Sequence, residues 1–247
     1  MTVEEIVAAF ALPAGAIRPT RIPKTVLNER GAVTAADRKL VDATIDRLDW
    51  VATLSPASVG VVAGDGVAAI QVMTLTVRAA PTQRLLTLIH RAVPLPIVLI
   101  TALEEGVRVS LAPLRKAERM ENEMVVERLI VGPEIGALTP AAASFLASLA
   151  VPGLSRVSLD RVYEGLVWRV EALVAAEISG ASFRLPVDAD DAVARRNALA
   201  RHDAVAVEWS RARNAARSEK NLSRQVALAE AARVVKTRFD AAILALA

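Results

Sequence analysis

The chain has 247 residues, of which 53% are hydrophobic and 23% charged, and 30 basic against 27 acidic residues give a formal net charge of +3. This composition excludes a disordered chain, and the length suits one large domain or two smaller ones. With no cysteine, a disulfide framework, a cysteine-ligated zinc site, an iron–sulfur cluster and a thiol nucleophile are excluded.

The N-terminal segment lacks the features of a secretion signal. Glu4 and Glu5 occupy positions where a signal peptide would carry positive charge. No apolar run approaches the roughly 18 residues of a membrane-spanning helix, and the longest compact run, residues 94–103, suits a buried strand. We therefore expect a cytoplasmic chain with no membrane partner.

The first third of the chain is predicted to begin with two helices. Residues 3–12 form the first, and a basic, proline-containing connector with Arg21 and Lys24 follows. Thr34 has the position of an N-cap for the second helix. The helical spacing of apolar residues continues to residue 54, and Ser55-Pro56 is predicted to end the helix.

The apolar periodicity then changes from about 3.6 to 2, which is typical of strands. Gly64-Asp65-Gly66 between β-branched runs predicts a hairpin, and a helix and further strands follow. The predicted order is strand 58–63, strand 67–78, helix 83–92, and strands 96–103, 107–114 and 124–132. Residues 1–134 are thus predicted to be an α+β domain with a mainly antiparallel sheet and flanking helices.

The remainder is predicted to be helical. Residues 135–186 contain helices that begin at Thr139-Pro140 and at Ser158, the latter ending at Gly180. Residues 188–246 contain neither proline nor glycine, so the segment 187–247 is predicted to be a long basic C-terminal helix or coiled coil, with an antiparallel helical pair as the alternative.

This last segment concentrates positive charge. Residues 195–238 contain eleven basic and four acidic residues, a net +7, so the rest of the chain sums to −4. Basic residues along a helix can contact phosphates without reading base sequence, although a solvated or protein-facing helix has the same composition. The candidate nucleic-acid-binding residues are Arg211, Arg213, Arg217, Lys220 and Arg224, together with Arg21 and Lys24.

A heptad-like repeat lies near the C-terminus, where apolar residues recur at spacings of 4-3-4-3-4 from residue 228 to residue 246. We expect a partner interface at Leu228, Val235, Phe239 and Leu246, and a homodimeric coiled-coil scaffold is one alternative function.

Catalytic patterns are weak. A divergent or inactive magnesium-dependent nuclease is a further alternative, but its only candidates are Asp65 and Gln71, without the carboxylate and lysine that such a site needs. His90 lies on an apolar helix and suits a core position. Glycine-rich nucleotide loops and a serine nucleophile motif are missing, so we expect no cofactor, no metal and no enzymatic activity.

Five segments carry a resemblance to a known family. They are RIPKTVL at 21–27, VTAADRKL at 33–40, DRLDWVATL at 46–54, LIHRAVPLPIVL at 88–99 and EKNLSRQV at 219–226. In this order they resemble an uncharacterised bacterial family, a domain of unknown function, found near DNA methyltransferases and helicases of restriction-like phage-defence loci. Relatives often carry an acid and an aromatic residue where this chain has residues 67–69, VAA.

The resemblance implies a non-catalytic accessory or scaffold subunit in a restriction/modification-like complex. Its partners would be DNA methyltransferase or helicase subunits, with DNA as a further ligand. No catalytic residue is implied by the resemblance.

Overall fold

A computed structural model describes residues 1–32, 34–64, 66–116 and 124–247 of the chain. The chain divides into two compact units, Met1–Val170 and Glu171–Ala247. The helices are α1 (Val3–Ala9), α2 (Lys24–Arg30), α3 (Ala35–Thr44), α4 (Pro56–Val59), α5 (Gln83–Ala92), α6 (Pro140–Ser148), α7 (Leu159–Ser179), α8 (Ala189–Ser218) and α9 (Leu222–Leu244). The strands are β1 (Ile17–Arg21), β2 (Ile45–Leu54), β3 (Ile70–Val77), β4 (Ile97–Ala102), β5 (Val107–Leu111), β6 (Leu114–Lys116), β7 (Met124–Val126) and β8 (Ile130–Val131).

A six-stranded sheet forms the centre of the first unit, with the strand order β1-β2-β3-β4-β5-β8. Among the described strands of this sheet, only β3 and β4 pair in parallel, and α5 makes the crossover between them; the other pairs are antiparallel. The central strands are buried on both faces because helices and the chain around them exclude water. The predicted α+β class with a mainly antiparallel sheet and flanking helices is confirmed.

Several predicted helices are confirmed together with their caps. The Thr34 hydroxyl accepts a hydrogen bond from the Asp37 backbone N–H at the start of α3, and Thr139 caps α6, which has Pro140 as its first residue. α7 ends at Gly180, whose φ of +70° only glycine adopts readily. Short polar side chains at these positions satisfy N–H groups that the helix itself leaves unpaired.

The predicted helix 34–54 is wrong in its second half, which forms β2 instead. Two register shifts against β3, between Ile45 and Arg47 and between Trp50 and Ala52, place an extra residue in β2. Such bulges break the alternation of inward and outward side chains, so the buried residues Ile45, Leu48 and Ala52 recur at helix-like spacings of three and four before Leu54 follows at a spacing of two. The apolar residues of this strand therefore have a spacing that predicts a helix.

The predicted hairpin 58–78 is also wrong in its first strand. Ser55 and Ser58 form a capping box around Pro56, which starts the short helix α4, and no strand element lies in the described residues between α4 and β3. The second predicted strand is confirmed as β3. Asp65, in the predicted turn, lies outside the described residues.

Three more differences concern the edges of the first unit. The connector around residue 19 contains β1, an exposed edge strand in which a proline is tolerated, and α2 follows it. The predicted strand 124–132 is interrupted and contributes β7 to a two-stranded sheet with β6 and β8 to the main sheet. These short elements have no apolar alternation that would have indicated them.

Of the two alternatives for residues 188–246, the structure has the antiparallel helical pair, α8 and α9, joined by a turn at residues 219–221. The Asn221 side chain accepts a hydrogen bond of 3.1 Å from the Arg224 backbone N–H and so starts the second helix, although neither proline nor glycine is present. Asparagine is one of the residues that favour this position. We refer to residues 189–244 as the C-terminal hairpin.

One buried tyrosine joins a helix to the main sheet. The Tyr163 hydroxyl in α7 accepts a hydrogen bond from the Ala112 N–H (2.9 Å) and donates one to the Ile97 carbonyl (3.1 Å). Burial raises the pKa of this phenol, so it stays protonated and able to donate. Arg169 of the same helix donates to the Ser148 carbonyl at the end of α6.

Replacing Tyr163 by phenylalanine is expected to lower the free energy of unfolding by about 2 kcal/mol, because the change leaves a buried N–H and a buried carbonyl without a partner. Urea denaturation followed by circular dichroism measures the loss. Arg161→Gln, on the same helix, removes only an exposed ion pair with Glu164 and is expected to cost much less, because solvent screens an exposed pair. Equal losses for the two variants would contradict the role of the hydroxyl.

Candidate nucleic-acid interface

The two helices of the C-terminal hairpin are held together by aromatic side chains. Trp209 of α8 stacks on Phe239 of α9 with ring centroids 4.9 Å apart, and His202 lies 5.3 Å from the same phenyl ring. Aromatic pairs at these distances add a geometric preference to the burial of apolar area. This contact aligns residues near 209 with residues near 236–239 and so places the side chains along the rest of the hairpin.

The structure places the heptad-like repeat on the side of α9 that packs within the chain. Val235 and Leu246 are buried, and Leu228 and Phe239 are half-buried. Leu246 packs in a cluster with Ala198 of α8 and Ala175 of α7. The repeat is therefore accounted for by packing inside one chain, and the expected partner interface at these four residues stays a prediction.

Three cations near the middle of the hairpin have acidic partners. Arg238 of α9 donates to Glu208 of α8 at 2.8 Å, an ion pair that crosses between the helices. Two more pairs lie along α9, where Arg233 contacts Glu230 and Lys236 contacts Asp240. The acidic residues of this region are thus largely occupied by cations of the hairpin itself.

Five cations at the closed end of the hairpin have no such partner among the residues that the structure describes. We call them the tip cations, and they are the candidates from the sequence: Arg211, Arg213, Arg217, Lys220 and Arg224. All five side chains are exposed, and none forms an ion pair with a carboxylate in the described residues. The nearest acid along the chain, Glu219, accepts a hydrogen bond from the Asn221 backbone. The tip therefore presents a net positive charge to solvent, because five cations outnumber the Glu219 carboxylate.

The tip cations surround the end of the hairpin and do not form a single stripe. At about 100° of rotation per helical residue, Arg213 and Arg217 lie on the same side of α8 as Trp209, whereas Arg211 lies about 160° away from it. Lys220 belongs to the turn and Arg224 to the first turn of α9. A phosphate chain can therefore contact the tip from more than one direction.

An open groove of about 520 Å³ lies between the helices, beside the tip. Its floor is aliphatic, formed by Ala216, Val226, Ala229 and Ala232. Its rim carries the cations Arg213, Arg217, Arg233 and Lys236. Trp209 closes one end, where the Arg213 guanidinium lies 4.9 Å and the Lys236 ammonium 5.6 Å from the indole ring.

The sequence did not indicate that Arg233 and Lys236 belong with Arg213 and Arg217. The four residues are up to 23 positions apart, and only an antiparallel pairing of the helices brings them to one groove. One signal in the sequence could have indicated this grouping. Trp209 and Phe239 are the two aromatic residues of the segment, and placing them in contact across an antiparallel helical pair brings the four cations together.

The two other predicted cations lie in the first unit. Arg21 ends β1 and Lys24 begins α2, and both line a small cleft of about 320 Å³ with Asp46 and Arg47. Lys24 Nζ lies 3.5 Å from the Asp42 carbonyl oxygen. Acidic and basic groups are mixed in this cleft, so its charge is less positive than that of the tip.

The residues considered for nuclease chemistry are not brought to a common site by the described structure. Gln71 is 4% exposed in β3, where its side-chain oxygen accepts a hydrogen bond from Thr53. Asp65 is outside the described residues. Within the described ranges, no group of three or more histidine or acidic side chains is placed to hold a metal ion.

His90 lies in the core, as its apolar helix indicated. Its Nε2 atom is 3.0 Å from the Ser110 hydroxyl of β5, and both residues are buried. Burial lowers the pKa of His90 to about 3, because the charged form loses its hydration. The imidazole is therefore neutral near pH 7 and has no contact with solvent through which a substrate could reach it.

A family model described as Domain of unknown function (DUF4391) matches residues 10–238, from the end of α1 into α9. No curated protein and no solved structure matches the chain. In the described ranges, no helix has both the length and the apolar character required to cross a membrane.

The stability of the chain is expected to depend on pH through His90. Its pKa is lower in the folded state than in the unfolded state, so the unfolded chain takes up the proton first as the pH falls from about 6.5 toward 3. The neutral His90 side chain makes its full contribution to the free energy of unfolding above pH 6.5. About 2 kcal/mol of that free energy is lost between pH 7 and pH 5. Urea denaturation at the two pH values should show this loss in the wild type and a smaller one in His90→Gln. Identical losses in the two proteins would contradict the assignment.

Proposed function

The chain belongs to the family described as Domain of unknown function (DUF4391), and from this premise we propose that it is a nucleic-acid-binding accessory protein whose C-terminal hairpin contacts the phosphate backbone. The observation that carries the proposal is the set of five exposed tip cations without a carboxylate partner in the described residues. Cations that are already paired gain less from a phosphate, because the acid must first be displaced.

The chemistry of the tip favours binding that ignores base sequence. Each phosphate neutralised by lysine or arginine releases condensed counterions, which makes the affinity strongly dependent on salt. Arginine is suited to this contact because its planar guanidinium can donate two parallel hydrogen bonds to one phosphate. Reading of base edges needs a set of side chains presented together into a groove, whereas the tip cations point in several directions around the end of the hairpin.

The setting that we propose is the one implied by the sequence resemblance. In it, the protein is a non-catalytic accessory or scaffold subunit of a bacterial restriction/modification-like phage-defence complex in the cytoplasm. Its partners are DNA methyltransferase or helicase subunits, and the hairpin adds a contact to their DNA. The mixed character of the chain supports this division of roles, since residues 195–238 carry a net charge of +7 and the rest of the chain a net charge of −4.

The proposal is tested by titrating a short duplex of mixed sequence with the protein at several salt concentrations between about 50 and 200 mM. A variant in which Arg211, Arg213, Arg217 and Lys220 are all changed to glutamine is expected to reduce the magnitude of the slope of log affinity against log salt by up to about 3.6. The reduction follows from the loss of up to four phosphate contacts.

A matched control removes the same number of charges from the first unit. Arg18, Arg30, Arg38 and Lys39 are exposed there, and their change to glutamine is expected to leave the slope nearly unaltered. If both variants lower the slope equally, the protein binds through its net charge alone and the proposed role of the tip is wrong. If the affinity of the wild-type protein for the duplex does not change with salt concentration, the protein does not contact phosphates.

A further inference from the structure

We propose that the groove between α8 and α9 is a docking site for an acidic amphipathic helix of a partner protein. This inference goes beyond nucleic-acid binding at the tip and assigns a second ligand to the C-terminal hairpin. It rests on three properties of the groove: its aliphatic floor, its basic rim, and the ring of Trp209, which is already stacked on Phe239.

The floor has the dimensions and composition that accept a third helix. Three of its four aliphatic side chains are alanines, at positions 216, 229 and 232, which allow the backbone of a docked helix to approach closely. Val226 is 56% exposed on the same floor and offers apolar area that the hairpin itself does not cover. From Trp209 to Arg217 the groove runs about 12 Å along α8, a little over two helical turns.

A docked helix of that length presents apolar side chains at positions i, i+3 or i+4, and i+7 to the floor. The residues that flank this apolar stripe would lie over the rim of the groove. The charge that these flanking residues need follows from the rim, which carries two cations from each helix of the hairpin.

The four cations of the rim favour a partner with acidic side chains. Arg213 and Arg217 form no ion pair with a carboxylate in the described part of the chain. Arg233 and Lys236 have only exposed pairs with acids on their own helix, three and four residues away. Exposed pairs of this kind are weak, so glutamate and aspartate of an incoming helix can share or replace them.

The groove fits a nucleotide less well than a helix. Its aliphatic floor offers no aromatic face on which a base could stack. The ring of Trp209 is already stacked on Phe239 and covered by the Arg213 guanidinium. A phosphate could pair with the rim, and the Gln225 amide could donate one hydrogen bond to the accompanying base, but the base would have no free aromatic face on which to stack.

The test uses two synthetic peptides of about four helical turns with the same leucine positions at i, i+3, i+4 and i+7. One peptide carries glutamate at the flanking positions and the other carries lysine. Each is labelled with a fluorophore and titrated with the full-length protein, and anisotropy reports binding. We expect the glutamate peptide to bind, and the lysine peptide to bind at least about tenfold more weakly, because the rim repels it.

Two variants locate the binding site. Val226→Asp places a charge on the floor and Arg217→Gln removes one from the rim, and each is expected to weaken the glutamate peptide about tenfold. Val226 and Arg217 are exposed, so these changes do not disturb the packing of the helices. The control is Arg211→Gln, which removes the same charge as Arg217→Gln from the side of α8 turned away from the groove and is expected to leave peptide binding unchanged.

The proposal is overturned if the two peptides bind equally, if neither binds, or if Val226→Asp binds the glutamate peptide as the wild type does. A single-stranded oligonucleotide whose binding is lost in Val226→Asp would show that the groove holds nucleic acid instead. A second tip variant leaves the rim intact by changing only Arg211, Lys220 and Arg224 to glutamine, since none of the three lines the groove. We expect this variant to lose duplex affinity and to keep peptide binding, and Val226→Asp to show the reverse, so the failure of one proposal can be told from the failure of the other.

Discussion

Stacking of Trp209 on Phe239 fixes the register of the two C-terminal helices, and the surface of the second unit depends on that register. Once the two rings are in contact, Arg238 reaches Glu208 across the pair. The same register brings Arg213 and Arg217 of α8 opposite Arg233 and Lys236 of α9 and forms a groove between them. A single long helix of the same sequence would distribute these cations along its length and would contain no groove.

The position of each acidic residue then decides where positive charge remains. Glu208, Glu230 and Asp240 neutralise cations in the middle of the hairpin, whereas Glu219 at the turn is bonded to the Asn221 backbone. Net positive charge therefore remains at the tip, for which phosphate is a fitting ligand, and at Arg213 and Arg217 on the rim above the aliphatic floor, for which an acidic helix is a fitting one. The two proposed ligands follow from one packing arrangement.

Elements with strong local signals could be predicted from the sequence, including the capped helices α3, α6 and α7, the crossover helix α5 and the buried strands β3 and β4. The bulges of β2 could not, because they give a strand the apolar spacing of a helix. The tip cations were identified as a charge cluster, but their lack of carboxylate partners depends on contacts such as Arg238–Glu208 between residues 30 positions apart. Likewise, the terminal repeat indicated a packed face without indicating whether a second chain or α8 covers it.

The central claim is that the positively charged tip of the hairpin, and not the chain as a whole, contacts nucleic acid. Acetylation of lysine side chains in the presence and absence of saturating duplex, read by mass spectrometry, tests it residue by residue. Lys220 lies in the turn, and Lys39 of α3, which is also exposed, is the reference in the first unit. The account predicts that duplex slows acetylation of Lys220 several-fold and leaves Lys39 unaffected. Equal acetylation of Lys220 with and without bound duplex would contradict it.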